Sequence, residues 1–251
     1  MLRAFHAKGR VLVAYSGGVD SGLVAKLAHE ALDGNALAVI TDAESLSRRE
    51  LAEAKASAVE IGIALRVVGV SELASPEYVA NPVNRCYFCR AELAGVLTDI
   101  AAKENYSAIA DGVNGSDLGD VRPGIRAMDE AGFWHPLVEF GLAKADVRAM
   151  AKSLGLSFHD KPSNACLSSR IPHGTAITVA MLRQVEAAEE VLRSRGFRQV
   201  RVRHHGTTAR IEVLPEDISR LEEIRDEVAD ALRDLGYEET VIDRNGYRVL
   251  A

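Results

Sequence analysis

Cysteine is scarce in this chain: Cys86, Cys89 and Cys166 are the only three in 251 residues. So small and odd a number does not make a disulfide framework, which leaves the thiols for metal binding or catalysis. No apolar run approaches the ~20 residues that cross a bilayer as a helix. The opening MLRAFHAKGR has no apolar core and no small-residue cleavage site. It does not read as a signal peptide, and the expected compartment is the cytoplasm. Nor is positive charge in excess: 30 Lys and Arg against 36 Asp and Glu give a net charge of −6. That balance argues against a protein built to wrap nucleic acid, though not against a local basic patch. The rest is ordinary, with 47% hydrophobic and 26% charged residues. That suffices for one large domain or two modest ones with a real core.

One stretch is not ordinary. An apolar run over 11–15, VLVAY, ends in Ser16-Gly17-Gly18-Val19-Asp20-Ser21, and a helical pattern (Leu23, Val24, Leu27, Ala28) starts at once. A strand, a glycine turn and a helix N-terminus aim backbone N–H groups at one point, which suits an anion. Gly17 and Gly18 allow a tight turn and close backbone approach. The Ser16 and Ser21 hydroxyls are placed to donate to phosphate oxygens. Asp20 suits a Mg²⁺ ion that travels with phosphates. There is no G-x-x-x-x-G-K-[ST] spacing, so this is not a Walker A loop. It resembles the SGG-x-DS loop of the N-type ATP pyrophosphatases, the PP-loop superfamily of GMP and NAD synthetases and tRNA thiolases. That resemblance implies cleavage of ATP between the α- and β-phosphates, an adenylated substrate, and pyrophosphate held in the loop.

Further along, 36–41 (ALAVIT), 65–70 and 107–110 read as strands separated by helices, the first of these with a Ser47 and Glu50 capping box. The pattern predicts an α/β fold: a parallel sheet with helices on both faces, in which ligands sit beyond the carboxyl ends of the strands. Thr41, Gly112 and Asp117 lie just past such ends and are assigned to nucleotide binding with the glycine loop. Within the loop over 111–124, Asp117 and Asp120 read equally well as metal or ribose ligands and as solvating residues. His135, beside Trp134 and Pro136, reads as a packed histidine rather than a ligand. Residues 76–82 are broken by prolines, and Asn84 is placed to cap a helix that carries the C-x-x-C pair. The polar, cysteine-bearing loop over 160–172 closes a first domain, 1–172. Composition then shifts. A helix over 177–195, alternating segments 199–204 and 209–213 about Gly206, a helix from Pro215 to about 235, and strands 240–242 and 247–250 predict a small α+β domain, 173–251, for substrate binding or oligomerisation.

C-x-x-C on a helix brings Cys86 and Cys89 to one face. With Cys166 they admit several readings: a structural zinc site completed by His135, His159 or His173, a redox dithiol, a [4Fe–4S] cluster with one iron open to hydrosulfide, or unrelated thiols. Spacing does not choose among them. The segment Asn164-Ala165-Cys166-Leu167-Ser168-Ser169-Arg170-Ile171-Pro172-His173-Gly174, with Arg122-Pro123-Gly124 and the glycine loop, resembles the LarE family. These are ATP-dependent sulfur-inserting enzymes that make the nickel-pincer nucleotide, and the resemblance covers most of the chain. It implies a small-molecule nucleotide substrate, pyridinium-3,5-biscarboxylic acid mononucleotide, whose carboxylates become acyl-adenylates and then thiocarboxylates. Cys86, Cys89 and Cys166 would be the catalytic residues. ATP, Mg²⁺ and a [4Fe–4S] cluster would be the cofactors, a sulfide source a partner, and the assembly a homo-oligomer, a hexamer by resemblance. Single-cysteine members give up the sulfur of the residue matching Cys166. Three-cysteine members resemble cluster enzymes.

Arg201 and Arg203 alternate along one strand and so face one side, and Arg170 follows the Cys166 loop. Arginine forks suit the carboxylates and phosphate of such a substrate, which assigns all three to substrate binding; a solvated strand face is the competing reading. In the resembled family the Arg-x-Arg pair contacts phosphate-like anions near a subunit junction. Three other functions compete: a tRNA thiolase with a cluster, an amide-forming synthetase, which does not need the cysteines, and an ATP-binding sensor without turnover.

Overall fold

The computed structural model describes residues 1–119, 123–163 and 165–247. The chain divides into two compact units. The first comprises Met1–Ser75 with Val83–Ser163, and the second Pro76–Pro82 with Asn164–Ala251. The division therefore falls earlier than residue 172, and a short upstream segment belongs with the second unit.

The first unit opens with α1 (Leu2–Lys8), β1 (Val11–Ala14), α2 (Val19–Leu32), β2 (Ala36–Asp42), α3 (Arg48–Ile61) and β3 (Ala64–Gly69). The chain then passes through the second unit as the single turn α4 (Pro76–Val79). It returns as α5 (Arg85–Glu104), β4 (Ala108–Ala110), α6 (Pro123–Glu130), the single turn α7 (Pro136–Glu139) and α8 (Lys144–Ser153). The strands form a parallel sheet in the order β3-β2-β1-β4, with Val11 in register with both Ala36 and Ala108. Period-two alternation along β1 divides the core, because successive side chains point to opposite faces. Val11, Val13 and Tyr15 join Leu23, Val24 and Ala54 on one face, while Leu12 and Ala14 pack with Leu97 and Ala101 of α5 on the other. Both faces are thus covered, as a parallel sheet requires. Ser47 caps α3 by accepting from the Glu50 N–H at 3.1 Å. Asn84 stands at the N-cap of α5 but makes no side-chain cap bond, in contrast to the sequence expectation.

The second unit contains α9 (Val179–Ser194), β5 (Val200–His205), β6 (Thr208–Val213), α10 (Ile218–Glu223), α11 (Arg225–Asp234) and β7 (Glu239–Ile242). β5 and β6 form the expected hairpin, with Gly206 at φ +63°, and β7 pairs parallel to β6. The helix expected from Pro215 onward breaks at Ile224, whose φ of −110° and ψ of 18° leave the helical region. The strand expected over 247–250 falls, apart from Tyr247, outside the described residues.

Candidate active site

The strand order reverses at β1: β2 and β3 follow to one side, and β4 lies on the other. Ligands in open α/β sheets bind at such a switch point, beyond the carboxyl ends of the strands. Both the Ser16–Ser21 turn, after β1, and the loop after β4 begin there. Gly17 has φ +72°, and a Cβ built on it would sit 2.4 Å from the Ala54 Cβ. Only glycine fits both the backbone and the space. Gly18 is extended and forms the N-cap of α2, which exposes the unpaired N–H groups of that helix's first turn. A Cβ on Gly112 would lie 2.6 Å from the Ser21 backbone nitrogen, so the loop after β4 rests directly on the start of α2.

The two serine hydroxyls are turned toward each other. Ser21 Oγ accepts from the Ser16 N–H at 3.1 Å, lies 3.0 Å from Ser16 Oγ, and donates to the Gly18 carbonyl at 3.3 Å. They brace the turn, and an arriving phosphate competes with that bracing. Asp20 carries an ion pair with Lys144 and accepts a hydrogen bond from Asn114 Nδ2 at 3.3 Å. Lys161 Nζ donates to the Gly17 carbonyl at 3.2 Å and pairs with Glu53 at 3.1 Å. Burial opposes the Glu53 charge, but Lys161 and Arg49 outweigh it and hold the carboxyl below its ordinary range. Lys144 and Lys161 are the residues that sequence reading missed. A signal for Lys144 existed: it opens α8, where the helix dipole disfavours a cation.

Asp117 helps to shape the loop after β4: its carboxylate accepts from the Asn114 N–H at 3.1 Å. Asp120 lies outside the described residues. Thr41 is half-buried near the end of β2, in register with Val68. His135 bridges two carboxylates, 2.7 Å from Asp111 and 2.8 Å from Asp129. The Asp111 hydrogen bond is the main cause that lifts its pKa to about 9, against the opposing effect of burial. Both ring nitrogens are engaged, which suits a structural histidine and leaves no lone pair for zinc.

Cys86 and Cys89 stand in the first turns of α5, one exposed and one half-buried, and no cysteine is in a disulfide. Cys166, half-buried in the second unit, is the N-cap of a 3₁₀ turn, Leu167–Arg170. Three thiols have the donor chemistry of a [4Fe–4S] cluster. Among the described residues, however, no group of three or more His, Cys, Asp or Glu is gathered so as to hold a metal ion. Cys86 and Cys89 belong to the first unit and Cys166 to the second. Asp20 has the donor chemistry for Mg²⁺, though its two carboxylate oxygens are here engaged by Lys144 and Asn114.

The three arginines differ sharply. Arg170 is 3% exposed; it forks onto Glu189 at 2.7 and 3.2 Å and donates to the carbonyls of Ala165 and Cys166. The guanidinium assigned to substrate binding thus also holds the Cys166 turn. Arg203 is shared between Glu212 at 2.8 and 3.0 Å and the Ser169 carbonyl at 2.9 Å. Arg201 is buried against the Tyr247 ring, its guanidinium 4.1 Å from the centroid. Burial holds its pKa below the usual arginine range, and the like charges of Arg170 and Arg203 add to this.

Residues 1–79 match the NAD synthase family. Over 252 residues the chain is 45% identical to the uncharacterized protein slr1717 of Synechocystis sp., covering 98% of this chain and 93% of that one. It is 38% identical over 240 residues to the pyridinium-3,5-bisthiocarboxylic acid mononucleotide synthase of Lactiplantibacillus plantarum, covering 95% of this chain and 87% of the relative. A third relative, the uncharacterized protein MJ0830 of Methanocaldococcus jannaschii, is 29% identical across 95% of this chain and 91% of its own. The fold and the glycine loop define an enzyme of the PP-loop, NAD synthase-like class. Within that class the chain belongs to the LarE family of the Lactiplantibacillus synthase.

Proposed function

We propose that the protein adenylates the carboxylates of pyridinium-3,5-biscarboxylic acid mononucleotide with ATP and replaces the activated oxygen with sulfur. The observation that carries this reading is the extent of the kinship. The similarity to the bisthiocarboxylic acid synthase, at 38% identity, spans 95% of the chain and not the ATP loop alone. In the first step a carboxylate oxygen attacks the α-phosphorus, the bond to the β-phosphate breaks, and pyrophosphate leaves. A sulfur nucleophile then attacks the acyl carbon and AMP departs, a far better leaving group than oxide. The amides at the start of α2, with Lys144 and Lys161, stabilise the charge on the departing pyrophosphate. Asp20 would hold Mg²⁺, which supplies further charge neutralisation at the phosphates. Thr41, Gly112 and Asp117 would line the nucleotide.

Sulfur handling falls to Cys166 together with Cys86 and Cys89, since a purely sacrificial donor needs no C-x-x-C pair. Arg201 and Arg203 would take the substrate's anionic groups in a homo-oligomer, whose size sedimentation measures. Anaerobically prepared protein is given ATP with the pyridinium biscarboxylate, with tRNA, or with neither, and pyrophosphate is measured. Release with the biscarboxylate is expected; release that only tRNA stimulates overturns the proposal. Mass spectrometry of Cys166 after turnover with sulfide separates the sulfur routes. One dehydroalanine per product makes the residue a sacrificial donor and refutes catalytic supply.

A further inference from the structure

The turn that carries Cys166 is pinned from an unexpected direction. Tyr78, in the single turn α4, is 1% exposed, and its hydroxyl lies 2.5 Å from the Oγ of Ser168, which is 0% exposed. The two residues are 90 apart in sequence, and Ser168 lies within the 3₁₀ turn that Cys166 caps. Asn81, also 0% exposed, reaches the same loop. Its Nδ2 donates to the carbonyls of Pro172 at 2.8 Å, Thr175 at 3.1 Å and Ile171 at 3.3 Å. Its own carbonyl accepts from the Gly174 N–H at 2.9 Å, and Val79 accepts from Ile177 at 2.9 Å. Asn81 adopts φ +53°, a strained conformation that asparagine tolerates better than most residues.

Packing alone does not require this. A phenylalanine and an alanine would fill the same space with no buried hydroxyl to satisfy. A buried hydroxyl pair instead favours one register, because any other breaks the hydrogen bond between them. Within the same turn, Arg170 donates to the Cys166 carbonyl at 3.1 Å and Arg203 to the Ser169 carbonyl at 2.9 Å. We infer that Tyr78 and Asn81 are positioning residues for Cys166, holding its turn together with the two arginines. The inference rests on Cys166 as a sulfur-handling residue.

The test uses the full chain with Cys86→Ala and Cys89→Ala, so that Cys166 is the one thiol that iodoacetamide can alkylate. Tyr78→Phe keeps the ring and removes the hydroxyl. Asn81→Gly keeps the backbone conformation and removes the three donations. Each is expected to speed alkylation roughly three- to tenfold and to change its pH profile, the scale of a lost buried hydrogen bond. Tyr78→Phe combined with Ser168→Ala is expected to do less than the sum of the two, because the hydroxyls share a hydrogen bond. With the three cysteines restored, Tyr78→Phe should release pyrophosphate normally and form about tenfold less thiocarboxylate. Alkylation rates and pH profiles within twofold of the parent in both Tyr78→Phe and Asn81→Gly overturn the positioning role. Failure of the parent to release pyrophosphate overturns the functional reading instead, and leaves the alkylation result standing.

Discussion

Gly17 and Gly18 are adjacent and chemically identical, yet they should fail in different ways when mutated to alanine. At Gly17 the new Cβ would meet the Ala54 Cβ at 2.4 Å and Cα at 2.8 Å. Carbon atoms in contact prefer about 3.5–4.0 Å, so the turn or α3 has to move by about an ångström. The φ of +72° adds a left-handed cost of roughly 1–2 kcal/mol for a residue with a side chain. Overpacking adds roughly 1–3 kcal/mol, and together the two give about 2–5 kcal/mol. In a unit of this size each kcal/mol lowers Tm by about 2–4 °C, so Gly17→Ala should melt at least about 4 °C below the parent. At Gly18, φ is −83° and the nearest contact of an added Cβ is the Ser16 Oγ at 3.4 Å. Alanine fits this backbone, so Tm should stay within about 2 °C. Its methyl group instead stands at the mouth of the helix N-terminus, where the phosphates approach under the proposed function. Pyrophosphate release should fall by about tenfold or more, a loss of ~1.4 kcal/mol in transition-state stabilisation. Scanning calorimetry and a pyrophosphate assay on the two variants decide the matter. If Gly17→Ala melts with the parent, or Gly18→Ala loses as much stability, the assignment of steric and ligand roles to these glycines is wrong.

Three further outcomes follow from the side chains around the site. The His135 ion pairs raise its folded-state pKa to about 9, so their contribution is complete below the unfolded value near 6.5 and disappears as pH rises through about 9. The full effect is about 3 kcal/mol at 1.36 kcal/mol per unit; across that window the parent should lose stability more steeply than His135→Gln, and parallel curves would refute the charged bridge. Lys144→Met removes a partly exposed ion pair, worth little stability. It should melt within a few degrees of the parent while pyrophosphate release drops about 10²-fold, as for other lost transition-state donors; unchanged turnover would remove Lys144 from the chemistry. Glu189→Gln leaves Arg170 buried without its counter-charge, at a cost of roughly 3–5 kcal/mol in the second unit by denaturant unfolding. A cost below about 1 kcal/mol would show that the Cys166 turn does not depend on that pair.

What could be read from the sequence was whatever a short window encodes. The strands announce themselves by apolar runs, and the two faces of β1 by alternation. The SGG turn is legible because only glycine tolerates its backbone and its contact with Ala54. Ser47 is legible because a cap bonds an N–H three residues away. Contacts set by topology were not legible. Lys144 and Lys161 reach the glycine turn from 124 and 144 residues away, and nothing beside them names the partner. The prolines around Tyr78 and Asn81 read as a loop or short turns and said nothing of burial, because the hydrogen bonds that bury the segment come from 90 residues downstream.

The three arginines show the same limit within one site. In sequence they are equivalent, cations near a cysteine turn suited to an anionic substrate. In the fold, Arg170 is occupied by Glu189 and two carbonyls, and Arg203 is divided between Glu212 and Ser169. Neither can take a phosphate without giving up one of those hydrogen bonds. Arg201 is different: among the described residues it has an aromatic ring against its guanidinium and no ion pair, and burial already disfavours its charge. An arriving anion relieves that burden at no cost in broken bonds. If an anion binds this strand it therefore binds Arg201 first. Recruitment of Arg203 follows only with release of its hold on Ser169, which would couple substrate arrival to the turn that carries Cys166.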